Sequence, residues 1–119
     1  MIFDLVPILN EGESYTVEFK ERPDNDLPEE VCAFANASGG KVYIGIHNAG
    51  YVVGTDTGNS ARSRIQDTIN KVEPRLFVSM DVFDNIIVLT VPEGTHKPYS
   101  CPNGFFLRSG LKFPEVGSR

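Results

Sequence analysis

The sequence predicts an α+β fold, a mixed, mostly antiparallel sheet with two helices on one face. Three observations predict it. Strand-like segments outnumber helical ones. Several of them are joined by turns so short that only antiparallel neighbours can use them. The two helical stretches are amphipathic, so each has one face to bury against a sheet. At 119 residues and 13.1 kDa the chain holds one core, and a single domain over residues 1–119 is expected.

Tyr15–Lys20 alternates and is rich in β-formers, which predicts a strand. Asp26 followed by Pro28 and Glu29 fits a capping box with proline in the first helical turn. Leu27, Val31 and Phe34 recur at helical spacing, predicting a helix over Leu27–Ala37 that Gly39 and Gly40 terminate. Lys41–Ile46 reads as a strand with Val42, Ile44 and Ile46 on one face. Gly45 on the other face leaves room for a close approach. Asn48–Gly50 is a turn, and Tyr51–Val53 returns as the paired strand. A polar loop, Gly54–Asn59, leads to a second helix over Ser60–Val72, marked by Ile65, Ile69 and Val72 and closed by Pro74. Leu76–Phe83 and Ile86–Val91 form a hairpin about Asp84 and Asn85. Pro92–Asn103 is a loop, and Gly104–Arg108 is a last strand.

Composition narrows the function. Hydrophobic residues make up 40% and charged residues 23%, as in ordinary globular domains. No apolar run reaches the roughly 18 residues of a membrane span. Met1–Asn10 contains Asp4 and no leading cation, unlike a secretory signal. Cys32 and Cys101 lack CxxC spacing, which excludes a cysteine-rich zinc site and favours two reduced thiols in the cytoplasm. The net charge of −5 argues against indiscriminate nucleic-acid binding. That acidity is local. Residues 1–30 carry nine acids and two bases, and residues 31–119 carry seven acids and nine bases.

Gly39, Gly40 and Lys41 do not make a phosphate loop. Position 35 is alanine rather than glycine, Val42 replaces the hydroxyl residue, and the order is helix, glycines, strand. No nucleoside triphosphate is expected. Glu13 and Glu18 are the candidate catalytic pair, because two converging carboxylates can hold Mg²⁺ or Mn²⁺ for phosphodiester cleavage. Positions five apart on a regular strand point to opposite faces, so convergence requires Gly12–Ser14 to curl. His47 is the third candidate metal ligand, and its nitrogen favours Mn²⁺ or Zn²⁺ over Mg²⁺. Lys20, Arg22, Lys41, Arg62, Arg64, Lys97 and Arg108 are the candidate phosphate contacts. Tyr15, Tyr43, Tyr51, Phe105 and Phe106 are the aromatics available to stack on bases. Arg62 and Arg64 fall in the first turn of the second helix, where a cation opposes the helix dipole. A ligand-facing role gains from that.

The segments Glu13–Glu21 (ESYTVEFKE), Ala33–Ile46 (AFANASGGKVYIGI), Val53–Gly54, His96–Tyr99 (HKPY) and Phe105–Gly110 (FFLRSG) together resemble the Schlafen AlbA-type domain. The resemblance spans residues 13–110, with five pieces in order. It implies a Schlafen AlbA-like α+β fold and a nucleic-acid-binding, DNA-binding domain, usually the N-terminal part of a prokaryotic transcriptional regulator. It also implies a related core in animal Schlafens that cleaves RNA. There the glutamates matching Glu13 and Glu18 work with an aspartate after the strand that ends here at Ile46. This sequence has His47 and Asn48 at that place, and Asp56 lies further along. The third carboxylate is therefore missing.

The leading expectation is a cytoplasmic nucleic-acid-binding module without catalysis or cofactor of its own. The expected partner is DNA or RNA, through Lys20, Lys41, Arg62, Arg64, Lys97 and Arg108, with homodimerisation kept open. One alternative is a metal-dependent endoribonuclease using Glu13 and Glu18. The other is a dimerisation or protein-interaction domain.

Overall fold

The computed structural model describes residues 4–108 and 115–117. The elements run α1 (Val6–Glu11), β1 (Val17–Lys20), α2 (Leu27–Asn36), β2 (Gly40–Ile44), β3 (Ile46–His47) and β4 (Tyr51–Val52). They continue with α3 (Asn59–Ile69), β5 (Ser79–Phe83), β6 (Ile86–Val91), β7 (Ser100–Cys101), β8 (Gly104–Phe106) and β9 (Glu115–Gly117). The main sheet has the order β1-β2-β6-β5. β1 and β2 are parallel, as the intervening crossover helix α2 requires. The other two pairs are antiparallel, so the sheet is mixed and mostly antiparallel as predicted. β3 and β4 form a two-stranded ribbon, and β7, β8 and β9 a three-stranded one.

α2 and α3 share one face of the sheet. Leu27, Val31 and Phe34 of α2 and Ile65 and Ile69 of α3 pack with Val42, Ile44, Ile87 and Leu89. Each such side chain contributes roughly 1.5–3 kcal/mol on burial. The expected capping box does not form. Asp26 makes no side-chain cap bond. Its N–H donates instead to the Asp24 carboxylate at 3.1 Å, so the turn is held one step earlier. At the other end Gly39 has φ 80° and donates its N–H to the Phe34 carbonyl at 2.9 Å. A Cβ there would lie 2.7 Å from the Val91 carbonyl oxygen.

The second face is covered too, which the sequence reading did not foresee. Leu5, Ile8 and Leu9, in and beside α1, pack on Phe19, Tyr43, Ile46, Ile86 and Val88. Ile46 is a correction. Val42 and Ile44 face α2, but Ile46 joins Tyr43 on the α1 face. Gly45 causes the slip. It adopts φ 109°, ends β2, and accepts the N–H groups of Val53 and Gly54, both at 2.8 Å. A break of this kind shifts the two-residue alternation by one.

Other boundaries moved modestly. Leu76–Val78 precede β5 rather than belonging to it, and the loop 92–103 contains β7. Ser109 and Gly110 of the FFLRSG stretch lie outside the described residues. Cys32 and Cys101 are buried and free of any disulfide.

Candidate nucleic-acid interface

The chain curls just before β1. Gly12 has φ 77°, and Ser14 and Val17 exchange backbone hydrogen bonds across a tight turn. That curl brings Glu13 back onto β1, where its Oε2 accepts the Phe19 N–H at 3.0 Å. Glu13 and Glu18 converge in consequence. Burial, and next the Glu13 charge, push the Glu18 carboxyl up to about 7, against the opposing pull of Arg108.

Arg108 closes this end of the strand. Its Nη1 donates to Glu18 Oε1 at 3.2 Å, its Nε to the Tyr15 carbonyl at 3.0 Å and its Nη2 to the Ser14 carbonyl at 2.6 Å. The guanidinium lies 4.4 Å from the centre of the Phe34 ring, and the side chain has no exposed surface. Arg108, expected as a phosphate contact, is held inside the fold as a clamp.

Lys20 is also turned inward. Its Nζ sits 2.9 Å from both Glu30 and Asp24 carboxylates. Burial acts against the Lys20 charge, but the two carboxylates outweigh it and hold the ammonium above its usual range. Burial pushes the Glu30 carboxyl up to about 8 despite that ammonium. Glu30 Oε1 has no hydrogen-bond partner among the described residues.

Beyond Lys20 the C-terminal end of β1 opens. A groove of about 360 Å³ runs past Glu21, Arg22, His47 and Asn48. A second cavity of about 400 Å³ is lined by Arg22, Asp56, Arg64 and Thr68, and shares Arg22 and Asp24 with the first. His47 Nδ1 accepts the Ala49 N–H at 2.9 Å, and its Nε2 stands 3.6 Å from Glu21. Its ring stacks on Tyr51, with centres 4.5 Å apart and planes 8° from parallel.

The proposed contacts therefore divide. Lys20 and Arg108 are tied into the interior. Arg62 is spent on the loop before α3, donating to the Thr57 carbonyl at 3.1 Å and to the Asn59 side chain. Lys97 pairs with Glu93 at 2.7 Å. Lys41, Arg64 and Arg22 are exposed, and their side chains have no ion pair or hydrogen bond among the described residues. Of the five aromatics, Tyr43 and Phe106 are core residues, while Tyr15 and Tyr51 are exposed.

The metal set is not assembled. His47 faces Glu21 rather than joining Glu13 and Glu18, because the Gly45 break redirects the chain after β2. Asp56 is occupied by the Gly58 N–H at 2.9 Å. No group of three or more His, Cys, Asp or Glu side chains among the described residues is placed to hold a metal ion. Glu18 Oε1 already accepts a hydrogen bond from the buried Arg108 guanidinium. These residues do not fit Mg²⁺, which needs several oxygen ligands free to coordinate.

The model of the family described as Schlafen, AlbA_2 matches residues 13–113. The chain belongs to the Schlafen AlbA_2 family. Its fold is similar to that of the DIP2311 protein from Corynebacterium diphtheriae, at 18% identity and TM-score 0.65. That match covers 86% of this chain but only 22% of the other, so this chain spans about a fifth of that protein's length. It is also similar to the N-terminal domain of a RecG-related protein from Nitrosomonas europaea, at 24% identity and TM-score 0.53, covering 99% of this chain and 92% of that domain. No curated protein matches the chain. No helix among the described residues is long and apolar enough to cross a membrane.

In this AlbA_2 domain the shared motif pieces meet at the buried end of α2. Asn36 donates to the Tyr99 and Phe106 carbonyls at 2.9 and 3.0 Å and accepts the Tyr99 N–H at 2.6 Å. The Tyr99 hydroxyl accepts the His96 N–H at 3.1 Å. Asn36 ties these pieces together, a role the sequence reading did not assign to it. The signal for it was a polar residue closing the apolar stretch Val31–Ala35.

Proposed function

We propose that this chain is a nucleic-acid-binding domain, serving without catalysis of its own as a cytoplasmic module of a transcriptional regulator. The observation that carries the reading is the open end of β1. There Arg22 and Arg64 line two adjoining cavities with side chains that form no ion pair among the described residues, while four other candidate cations are engaged within the fold. Exposed cations beside polar groups, with the exposed Tyr51 stacked on the His47 that lines the first cavity, are the equipment of a phosphate-tracking groove. Membership of the AlbA_2 family supports the same reading.

Affinity for a labelled oligonucleotide at two salt concentrations tests it. Binding is expected to weaken with salt, with a slope set by the few phosphates contacted. Absence of binding at low salt would overturn the reading and favour a protein-interaction or dimerisation domain, which light scattering would detect. Catalysis is tested by incubating structured RNA with Mg²⁺ and with Mn²⁺. Cleavage by the parent that disappears in Glu18→Ala would make this an enzyme. His47→Asp is not expected to create a nuclease, because position 47 adds its carboxylate beside Glu21.

A further inference from the structure

We infer that the groove takes single-stranded rather than duplex nucleic acid, with one base stacked on the outer face of Tyr51 as the strand passes Arg22. This rests on the nucleic-acid reading above and adds the class of ligand.

The supply of charge favours a single strand. Arg22 and Arg64 are the exposed cations lining the two cavities, and Glu21, Asp24 and Asp56 line them too. Duplex binding draws its affinity from many phosphate contacts, about 6–10 in strongly salt-dependent cases. Two arginines amid acids, on a chain of net charge −5, do not provide that. A single strand offers a second source of affinity, the faces of its unpaired bases.

Tyr51 provides the surface for such a base. His47 and Tyr51 are directly opposite each other across β3 and β4. A cross-strand aromatic pair alone explains why one face of the tyrosine ring is covered. It does not explain why Tyr51 keeps 53% of its surface open. Behind it, His47 is held through Nδ1 by the Ala49 N–H. The ring is thus backed by a fixed imidazole, with its other side toward solvent. A platform built this way loses little conformational freedom when a base lands on it. Asn48, next to His47 in the same cavity, offers both a donor and an acceptor to a base edge.

The test compares a labelled single strand of about 12 nucleotides, within the span of known single-strand sites, with the duplex of the same sequence. Fluorescence anisotropy at low salt reads the affinities. The parent is expected to prefer the single strand by at least about tenfold. Tyr51→Ala should weaken single-strand binding by about 5- to 150-fold, the value of one stacked base. Tyr51→Phe should stay within about twofold, because the hydroxyl is not part of the stack. Should Tyr51→Ala lower the melting temperature below the assay temperature, Tyr51→Leu and Tyr51→Phe decide instead. Leucine loses the effect and phenylalanine keeps it. Equal binding of both forms, indifferent to Tyr51, overturns the inference and leaves the nucleic-acid reading standing. No binding of either form overturns both.

Discussion

At the N-terminal end of β1, Arg108 sits with its whole side chain out of solvent, satisfied by two carbonyls and Glu18. At its C-terminal end Arg22, with Arg64 of α3, stands in solvent beside an open cavity. The same residue type does opposite work at the two ends of one strand. A guanidinium taken out of water costs several kcal/mol of desolvation unless it is fully bonded. Arg108 meets that condition, so its role is to hold the curl that precedes β1. Arg22 is exposed, so it remains able to meet a phosphate. Charge alone does not mark a binding residue; the bonding of the charge within the fold separates the two roles.

The largest effect should come from opening the closed end. Arg108→Ala leaves Glu18 and two carbonyls without their donor and is expected to cost about 3–5 kcal/mol. Denaturant unfolding measures it. Adding Glu18→Gln should recover part of that loss, since the stranded carboxylate is then gone. A loss below about 1 kcal/mol, within the range of surface pairs, would mean that Arg108 is no clamp and would erase the contrast between the ends.

Gly39→Val tests the helix end that sets the register of β2. Valine resists φ 80°, and its Cβ would press on the Val91 carbonyl oxygen. A loss of about 2 kcal/mol is expected from the strained backbone. A melting curve matching the parent would show that the backbone there adapts freely.

The pH dependence of stability sharpens the contrast further. The Glu18 carboxyl is raised from 4.5 to about 7, chiefly by burial and the Glu13 charge. A raised acid binds its proton more tightly folded than unfolded, so its contribution is complete below about 4.5 and is lost as pH climbs through about 7. Glu30, raised to about 8, acts in the same sense over a window reaching higher. Unfolding free energy should therefore fall across this range. Glu18→Gln should flatten the lower part of the decline and leave the Glu30 part. A stability that rises with pH over the window would contradict the burial of both carboxyls.

The sequence made the helices and hairpins legible because periodicity and turn residues are local signals. Leu27, Val31 and Phe34 name the buried face of α2 without any knowledge of what it meets. α1 was not legible, since six residues with proline at the start gain their helix from contact with Phe19 and Tyr43 rather than from propensity. The slip at Gly45 was half visible. Glycine signalled a close approach, but not the positive φ that turned Ile46 to the other face. The convergence of Glu13 and Glu18 was conditional on a curl at Gly12–Ser14, and the curl is there. The fate of the cations was hidden. Arg108 finds its partners 90 to 94 positions away in the chain, a distance at which charge patterning carries no information.

Arg22→Ala should have the smallest effect on stability and is the most direct probe of the open end. Arg22 is exposed and has no ion pair or hydrogen bond among the described residues. Its loss should change unfolding free energy by no more than about 0.5 kcal/mol, the usual range for such surface sites. Binding should respond differently. If Arg22 neutralises one phosphate of a single strand, its removal should lower the slope of log affinity against log salt by about 0.7. Lys97→Ala is the matched control, because its ammonium is paired with Glu93 and lies outside the two cavities. It should leave that slope unchanged. Equal slopes for Arg22→Ala and the parent would place the nucleic acid elsewhere on the surface, and the exposed Lys41 would then be the next cation to remove.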